Sequence, residues 1–489
     1  MPSEPALPDG RPASEVLAEL RALREADAPT RGGRTFAYVY DAGLEGLDEL
    51  AAEAYTAFAT VNALDPTVFP SVARLENDLV AAVAALLGAP GAQGTFTSGG
   101  TESILLAVKA ARDHARSERG ITEPRMVLPS TAHAAFHKAA AYLGVEPVVV
   151  PVDPVTFRAD ADAMAAALDD RTVLVVASAP SYAHGVIDPV AEIAAAAAGR
   201  GVLCHVDACI GGWILPYLRR SGREVEPFDL SVPGVTSLSV DLHKYGYADK
   251  GASVVLYRDA GLRRHQYFAH AGWPGYPVVN PTVQGTKSGG LLAQAWAVLQ
   301  HVGEEGYTAL ADRVGESSDR LLAGLRSIDG VHVLGAPAAG LVAFTVAGEE
   351  SGAPDLSLLL HLADEMRELG WYLQPQLSFD GLPPNLHLTL TPATVGQVGP
   401  LLDDLTAALA KARTLDPVAV DPGLASFAAG LDPRTLGPDE IAAVLAFAGL
   451  GGSGGLPGRM APVLVLLDAL PRALKERLLA EFIGSVFRI

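Results

Sequence analysis

The sequence predicts an α/β protein: a large unit on a mainly parallel sheet covered by helices, then a smaller α+β unit. Three observations predict it. Between about residues 60 and 305, short strand-like runs alternate with alanine-rich stretches of helical length. The runs RMVLPS, EPVVVPV, RTVLVVAS, GVLCHVDA, TSLSVD and ASVVLY are largely apolar along their length, which marks strands buried on both faces of a sheet. The chain is 49% hydrophobic over 489 residues, with mean hydropathy +0.25, enough for large buried interfaces and too long for one simple core.

The elements follow in order. Residues 1–15 are polar and Pro-rich and read as a loose arm. SEVLAELRALREAD then has helical spacing with Ser14 as its cap, so 1–60 is an N-terminal arm and helix. Residues 61–305 form the large unit. The stretch GGLLAQAWAVLQHVGEEGYTALADRVGESSDRLLAGLRSI reads as a long helix leading into the second unit, 306–415. There GVHVLG, LVAFTVA and NLHLTLT read as strands, LSLLLHLADEMRELG and TVGQVGPLLDDLTAALAKA as helices. Residues 416–489 read as a helical extension broken by GLGGSGGLPG. No solenoid-period repeat is visible.

Bulk properties exclude some function classes. A formal charge of −20 argues against a nucleic-acid or anionic-membrane binder, which needs a basic surface. The first residues hold no basic segment followed by an apolar core, and no apolar run reaches about 18 residues, the length of a spanning helix. Cys204 and Cys209, five residues apart in a buried strand and its exit, read as free thiols of a reducing compartment. A soluble, cytoplasmic protein is expected.

Four segments carry chemistry. FTSGGTESILLAVKAARD (96–113) is a strand end, a Ser-Gly-Gly-Thr turn and an amphipathic helix. Ser98, Gly99, Gly100 and Thr101 there either cradle a phosphate on a helix N-terminus or cap a helix with no ligand. The glycine spacing matches neither a P-loop nor a dinucleotide fingerprint. In GVLCHVDACIGGW (201–213), Asp207 ends a buried strand and needs a partner: a salt bridge, a metal, or a protonated heterocycle. No third ligand accompanies His205 and Asp207, so no metal site is expected. STAHAAFHKAAAYLG (130–144) holds His133 and His137, either structural histidines or a flat ring for a planar cofactor. In SVDLHKYGYADKG, Lys244 sits between two strands, and a buried amine is costly unless something uses it. The ordered set matches the needs of pyridoxal phosphate. Lys244 would form a Schiff base, Asp207 would keep the ring nitrogen protonated, and the helix terminus would take the phosphate.

With these residues in this order, the chain resembles the pyridoxal-phosphate-dependent group II decarboxylases of aminotransferase fold type I, and among them the sphingosine-1-phosphate lyases. The matching segments are NALDPTVFPSVARLENDLV, TSGGTESILLAVKAARD, TAHAAFHKAAAYLG, SAPSYAHGVIDPV, HVDACIGGW, VTSLSVDLHKYGYADKG and NPTVQGTKSGG, over about residues 36–300. The resemblance implies a large domain with a seven-stranded type of sheet and a homodimer with shared active sites. It also implies His133 stacked on the cofactor ring, with the Ala208 methyl against the other face. Ser98, Gly99, Gly100 and His243 would lie near the phosphate, completed by Gly285 and Thr286 of a neighbouring subunit. Tyr40, Asn62 and Lys250 would line the substrate pocket. One departure stands out: Asp65 occupies the place of the lyases' histidine in Asn-x-x-His-Pro, and a carboxylate there would repel a phosphate headgroup. The implied activity is retro-aldol cleavage of an amino-hydroxy substrate. Amino-acid decarboxylation is the alternative, and Asp65 lends it weight. A non-catalytic cofactor binder is disfavoured because Lys244 and Asp207 are intact. Transamination lacks an arginine near NLHLTLT to hold a substrate carboxylate.

Overall fold

The computed structural model describes residues 10–349, 351–420, 430–432, 434–437 and 457–487. Seven strands, β1 (Gln93–Thr97), β2 (Arg125–Pro129), β3 (Glu146–Val150), β4 (Thr172–Ser178), β5 (Leu203–Asp207), β6 (Val235–Asp241) and β7 (Ser253–Tyr257), form one sheet. Their order is β1-β7-β6-β5-β4-β2-β3. β7 alone runs against its neighbours; β3, β2, β4, β5 and β6 pair in parallel. The six runs singled out in the sequence are β2 to β7. Burial explains their composition: β4 and β7 are buried at every residue and β5 at all but its first, so neither face selects polar residues. β3 lies at the sheet edge and is mostly exposed.

Helices cover both faces. On one, α4 (Gly100–Arg119) and α5 (Ala134–Leu143) close a core of Ile104, Val108, Met126, Leu128, Phe136 and Val176. On the other lie α3 (Pro70–Leu86), α7 (Val190–Gly199) and α8 (Gly211–Arg220), whose Leu79, Ile193 and Trp213 join the largest core. Two shorter N-terminal helices, α1 (Ala13–Arg24) and α2 (Leu47–Phe58), precede α3, and α1 buries no residue. The short helices α6 (Ala161–Ala166) and α9 (Ala260–Arg263) complete the large unit. The stretch between Arg264 and Gly289 holds a hairpin absent from the sequence reading, β8 (Phe268–His270) with β9 (Val278–Asn280).

α10 (Gly290–Ser327) spans the expected boundary at 305, interrupted by Gly303, whose φ of 63° breaks the helix just before that point. A four-stranded antiparallel sheet follows, in the order β10-β11-β13-β12, from β10 (Val331–Val333), β11 (Leu341–Val346), β12 (Gln374–Gln376) and β13 (Asn385–Thr389). α11 (Leu356–Glu368) and α12 (Val398–Ala412) pack with it. β12 is the strand that the sequence reading lacks. Beyond residue 457, α13 (Ala461–Ala469) docks on α11: the Asp364 carboxylate accepts from the N–H groups of Met460 and Ala461 at 2.9 Å each. It is followed by α14 (Arg472–Val486). Of the glycine-rich break, 449–456 lie outside the described residues. Among the described residues no helix is long and apolar enough to cross a membrane.

Candidate active site

The carboxyl ends of the parallel strands open into a cavity of about 900 Å³, where ligands of open α/β sheets bind. β1 delivers Ser98 and the start of α4. β5 ends on Asp207. β6 ends on Asp241, and its exit turn carries His243 and Lys244. His133 follows β2 and caps α5, its Nδ1 accepting from Ala135 N–H at 3.2 Å. The cap orients the ring while leaving the residue exposed to the cavity.

Two glycines shape the turn before α4. Gly99 has φ +143°, and a Cβ on Gly100 would meet Cys209 Sγ at 2.7 Å and both Asp241 carboxylate oxygens at 2.9 Å. The turn therefore lies directly on β6. The N–H groups of a helix's first turn have no intrahelical acceptor, and they face an anion site in such a bend. Glu102, missed in the sequence, fixes the bend: it accepts from Ser98 N–H at 2.7 Å and from Val283 N–H at 2.7 Å.

Lys244 Nζ lies 2.9 Å from Asp241 Oδ2. Burial works to lower the Lys244 pKa, but Asp241 more than reverses it, so the ammonium is held above its ordinary value. Burial likewise works to raise Asp241, and Lys244 and then His243 bring it below its ordinary value. The other carboxylate oxygen, Asp241 Oδ1, is buried with no hydrogen-bond partner among the described residues. Sequence reasoning passed over Asp241, although its place three residues before the lysine on a strand end was a usable signal. Asp207 is nearly buried, with Oδ1 accepting from Cys209 N–H at 3.1 Å. His205, two residues before Asp207 and so on the same face of β5, is a satisfied core histidine between Ser237 and Ser239. Both cysteines are free and buried.

The mouth is aromatic. Lys250 Nζ sits 4.9 Å above the Tyr40 ring and donates to the His243 carbonyl at 3.2 Å. The residue as a whole is exposed, yet its ammonium is enclosed by these groups. That enclosure, then the charge of Lys244, lowers its pKa to about 8. Burial pushes Tyr40 up to about 12. Three further residues were not anticipated: Tyr182 donates to Gln374 Oε1, and Gln374 Nε2 donates to the Tyr38 hydroxyl at 2.6 Å. This bridge joins the loop after β4, the N-terminal segment and β12 across the cavity.

Ser98, Gly99, Gly100, Thr101, His133, Asp207, His243, Lys244, Tyr40 and Lys250 thus line one cavity. Ala208, Asn62, Asp65, Gly285 and Thr286 do not line it in this chain. Ala208 is turned beneath α8, near where a Cβ on Gly212 would lie. The Asn62 carboxamide accepts from Leu64 N–H at 3.0 Å. Asp65 is exposed and closes its own turn, accepting from Thr67 N–H at 2.9 Å and the Thr67 hydroxyl at 2.6 Å, which lowers its pKa. Gly285 and Thr286 follow the cavity-lining Val283 and Gln284 away from it.

An amine poised in a cavity, a glycine turn at a helix N-terminus, and a buried strand-end carboxylate are the groups that pyridoxal phosphate requires of a protein, and the residues fit it. Lys244 can bond its aldehyde carbon, and Asp207 can pair with its ring nitrogen. The fold and cavity define a fold-type-I pyridoxal-phosphate enzyme. Residues 30–347 match the profile of the pyridoxal-dependent decarboxylase conserved domain, and the chain belongs to that family. A second profile, of the C-terminal HTH domain of pyridoxal-dependent enzymes, matches residues 422–485. The chain is similar to a sphingosine-1-phosphate lyase of Arabidopsis thaliana, 40% identical over 84% of this chain and 74% of that one. It is also similar to the solved structure of a Burkholderia pseudomallei sphingosine-1-phosphate lyase, at 39% identity and TM-score 0.78, covering 84% of this chain and 94% of the other. A Lactobacillus brevis glutamate decarboxylase shares the fold at 20% identity, TM-score 0.73, covering 86% and 97% of the two chains. The protein is a pyridoxal-phosphate-dependent carbon–carbon lyase of the sphingosine-1-phosphate lyase type.

Proposed function

We propose that the protein cleaves the Cα–Cβ bond of a phosphorylated amino alcohol whose β-carbon bears a hydroxyl, releasing an aldehyde. The observation that carries this reading is the pair of lysines in one cavity with separate surroundings. Lys244 is half-buried against Asp241, while Lys250 stands at the mouth above Tyr40. The first suits a covalent bond to the cofactor, the second a substrate anion. No arginine lines the cavity among the described residues, so a bidentate grip on an amino-acid carboxylate is missing from its walls. Asp65, whose carboxylate is engaged in its own turn, does not oppose an anionic headgroup in this cavity.

Each residue has a role in the proposal. The α4 N-terminus and Ser98 hold the cofactor phosphate, with His243 beside them. His133 covers one face of the ring, and Asp207 keeps a proton on its nitrogen. When bound, pyridoxal phosphate supplies the sink for the electron pair of the breaking Cα–Cβ bond. A base at the mouth takes the proton of the substrate β-hydroxyl as Cβ becomes the aldehyde carbon, and Cα regains a proton. Tyr40, Tyr182 and Lys250 surround the place where both transfers occur. The protein acts as a homodimer in the cytoplasm. Exposed Phe268, Trp273, Tyr276 and Val279 on the hairpin leading to Gly285 and Thr286 support the dimer, and two buried free thiols support a reducing compartment.

The test is aldehyde trapping from sphingosine-1-phosphate with cofactor-loaded protein. Release that vanishes in Lys244→Ala, together with the visible absorbance of lysine-bound cofactor, is expected. No release from protein that keeps the absorbance would turn the reading to amino-acid decarboxylation.

A further inference from the structure

Some 14 to 18 residues along α4 from the phosphate turn, a second cluster of ligating groups stands apart from the cavity. His114 and Glu118, one helical turn apart on α4, face His265 in the 3-10 turn Arg264–Gln266. One ligand atom from each lies within 4.8 Å of the other two. The two imidazoles meet edge to face with centroids 5.2 Å apart, and His114 Nδ1 is buried without a hydrogen-bond partner among the described residues. The arrangement is held from outside the cluster. Lys109, one turn before Asp113 on the same helix, donates to the backbone carbonyls of His265 at 2.9 Å and Tyr267 at 3.1 Å. The turn bearing His265 is thereby fixed to the helix bearing the other two groups.

We propose that His114, Glu118 and His265 form a binding site for a borderline divalent cation of the zinc type, which cross-links α4 to the segment after α9. Two imidazoles and a carboxylate are a donor set for such ions, with the fourth position left to water. Bonds of about 2.0–2.1 Å place tetrahedral ligands about 3.3 Å apart, so side-chain rotation of about 1.5 Å closes the present spacing. The competitor is Arg264: its Nη2 lies 3.3 Å from Glu118 Oε1, and its Nε donates to His265 Nε2 at 3.4 Å. That side chain is 65% exposed and can swing into solvent when a cation takes its place. The sequence analysis expected no metal, and this set escapes a reading along the chain because His265 stands 147 positions beyond Glu118.

The test is calorimetric titration of zinc or cobalt(II) into the full-length, cofactor-loaded protein after chelator treatment. One ion per chain is expected. Loss of even an outer-sphere partner weakens metal sites about 10–100-fold, so His114→Ala and His265→Ala should each weaken binding at least that much while cofactor absorbance stays unchanged. Arg264→Ala should tighten it by removing the competing cation, a response that mere damage to the fold would not give. Millimolar binding only, or binding that survives both histidine substitutions, would overturn the proposal.

Discussion

Lys250 gives the proposed reaction its pH dependence. Its folded pKa is lowered to about 8, so it is cationic below that pH and neutral above it. A substrate phosphate is already close to a dianion above pH 7, so of this ion pair only the lysine changes charge between pH 7 and 9.5. Charged hydrogen bonds contribute about 1.5–3 kcal/mol. KM for a phosphorylated substrate should therefore rise at least about tenfold across that range, and Lys250→Met should start high and stay flat. A parallel rise in both proteins would remove Lys250 from headgroup binding. Gln374 offers a second residue-scale test. Gln374→Met keeps the shape and loses both hydrogen bonds of the Tyr38–Gln374–Tyr182 bridge, each worth about 1 kcal/mol. KM should rise roughly 5- to 30-fold with cofactor absorbance intact; an unchanged KM would make the bridge incidental. Lys244, Asp207 and His133 were legible in the sequence because each sits within a few residues of a strand end whose pattern marks the site. Gln374 was not, since its partners Tyr182 and Tyr38 lie 192 and 336 positions away.

At the scale of elements, the turn into α4 is the tightest place in the site. Gly100→Ala must push Cβ into Cys209 Sγ and the Asp241 carboxylate. Overpacking of this kind costs about 1–3 kcal/mol, and here it falls on the lysine's counter-ion as well. Lower thermal stability together with weaker cofactor retention on dialysis is expected; loss of stability alone would separate the turn from cofactor binding. The strands of the large sheet were readable because burial on both faces leaves long apolar runs. β8, β9 and β12 are three residues each, too short for any period to show. The interruption at Gly303 was hidden for another reason: its neighbours keep helical composition on both sides, and only a glycine's φ of 63° records the break.

For the whole molecule, the proposed dimer rests on the exposed hairpin. Phe268, Tyr276 and Val279 are each more than half exposed, an unusual density of large apolar groups on one small ribbon. Val279→Asp should shift sedimentation from dimer to monomer at micromolar concentration, with the circular dichroism unchanged and activity lost with the dimer. A dimer that persists would move the interface elsewhere. The order of sheets and covering helices followed from the alternation of runs along the chain. Which residues meet across the cavity did not, because the loop after β4, the N-terminal segment and β12 converge only when both sheets are assembled.

Glu102 joins two of these scales. One carboxylate holds the amide of Ser98 on the anion turn and the amide of Val283 on the segment that runs on to Gly285 and Thr286. Filling the turn and ordering that segment are therefore linked equilibria, and linkage is reciprocal. Contacts that pin residues 283–286 would then tighten the hold on cofactor, and cofactor would pin them. Were the proposed dimer to bring that segment to a second site, loading one site would prepare the other, and saturation with cofactor would be cooperative.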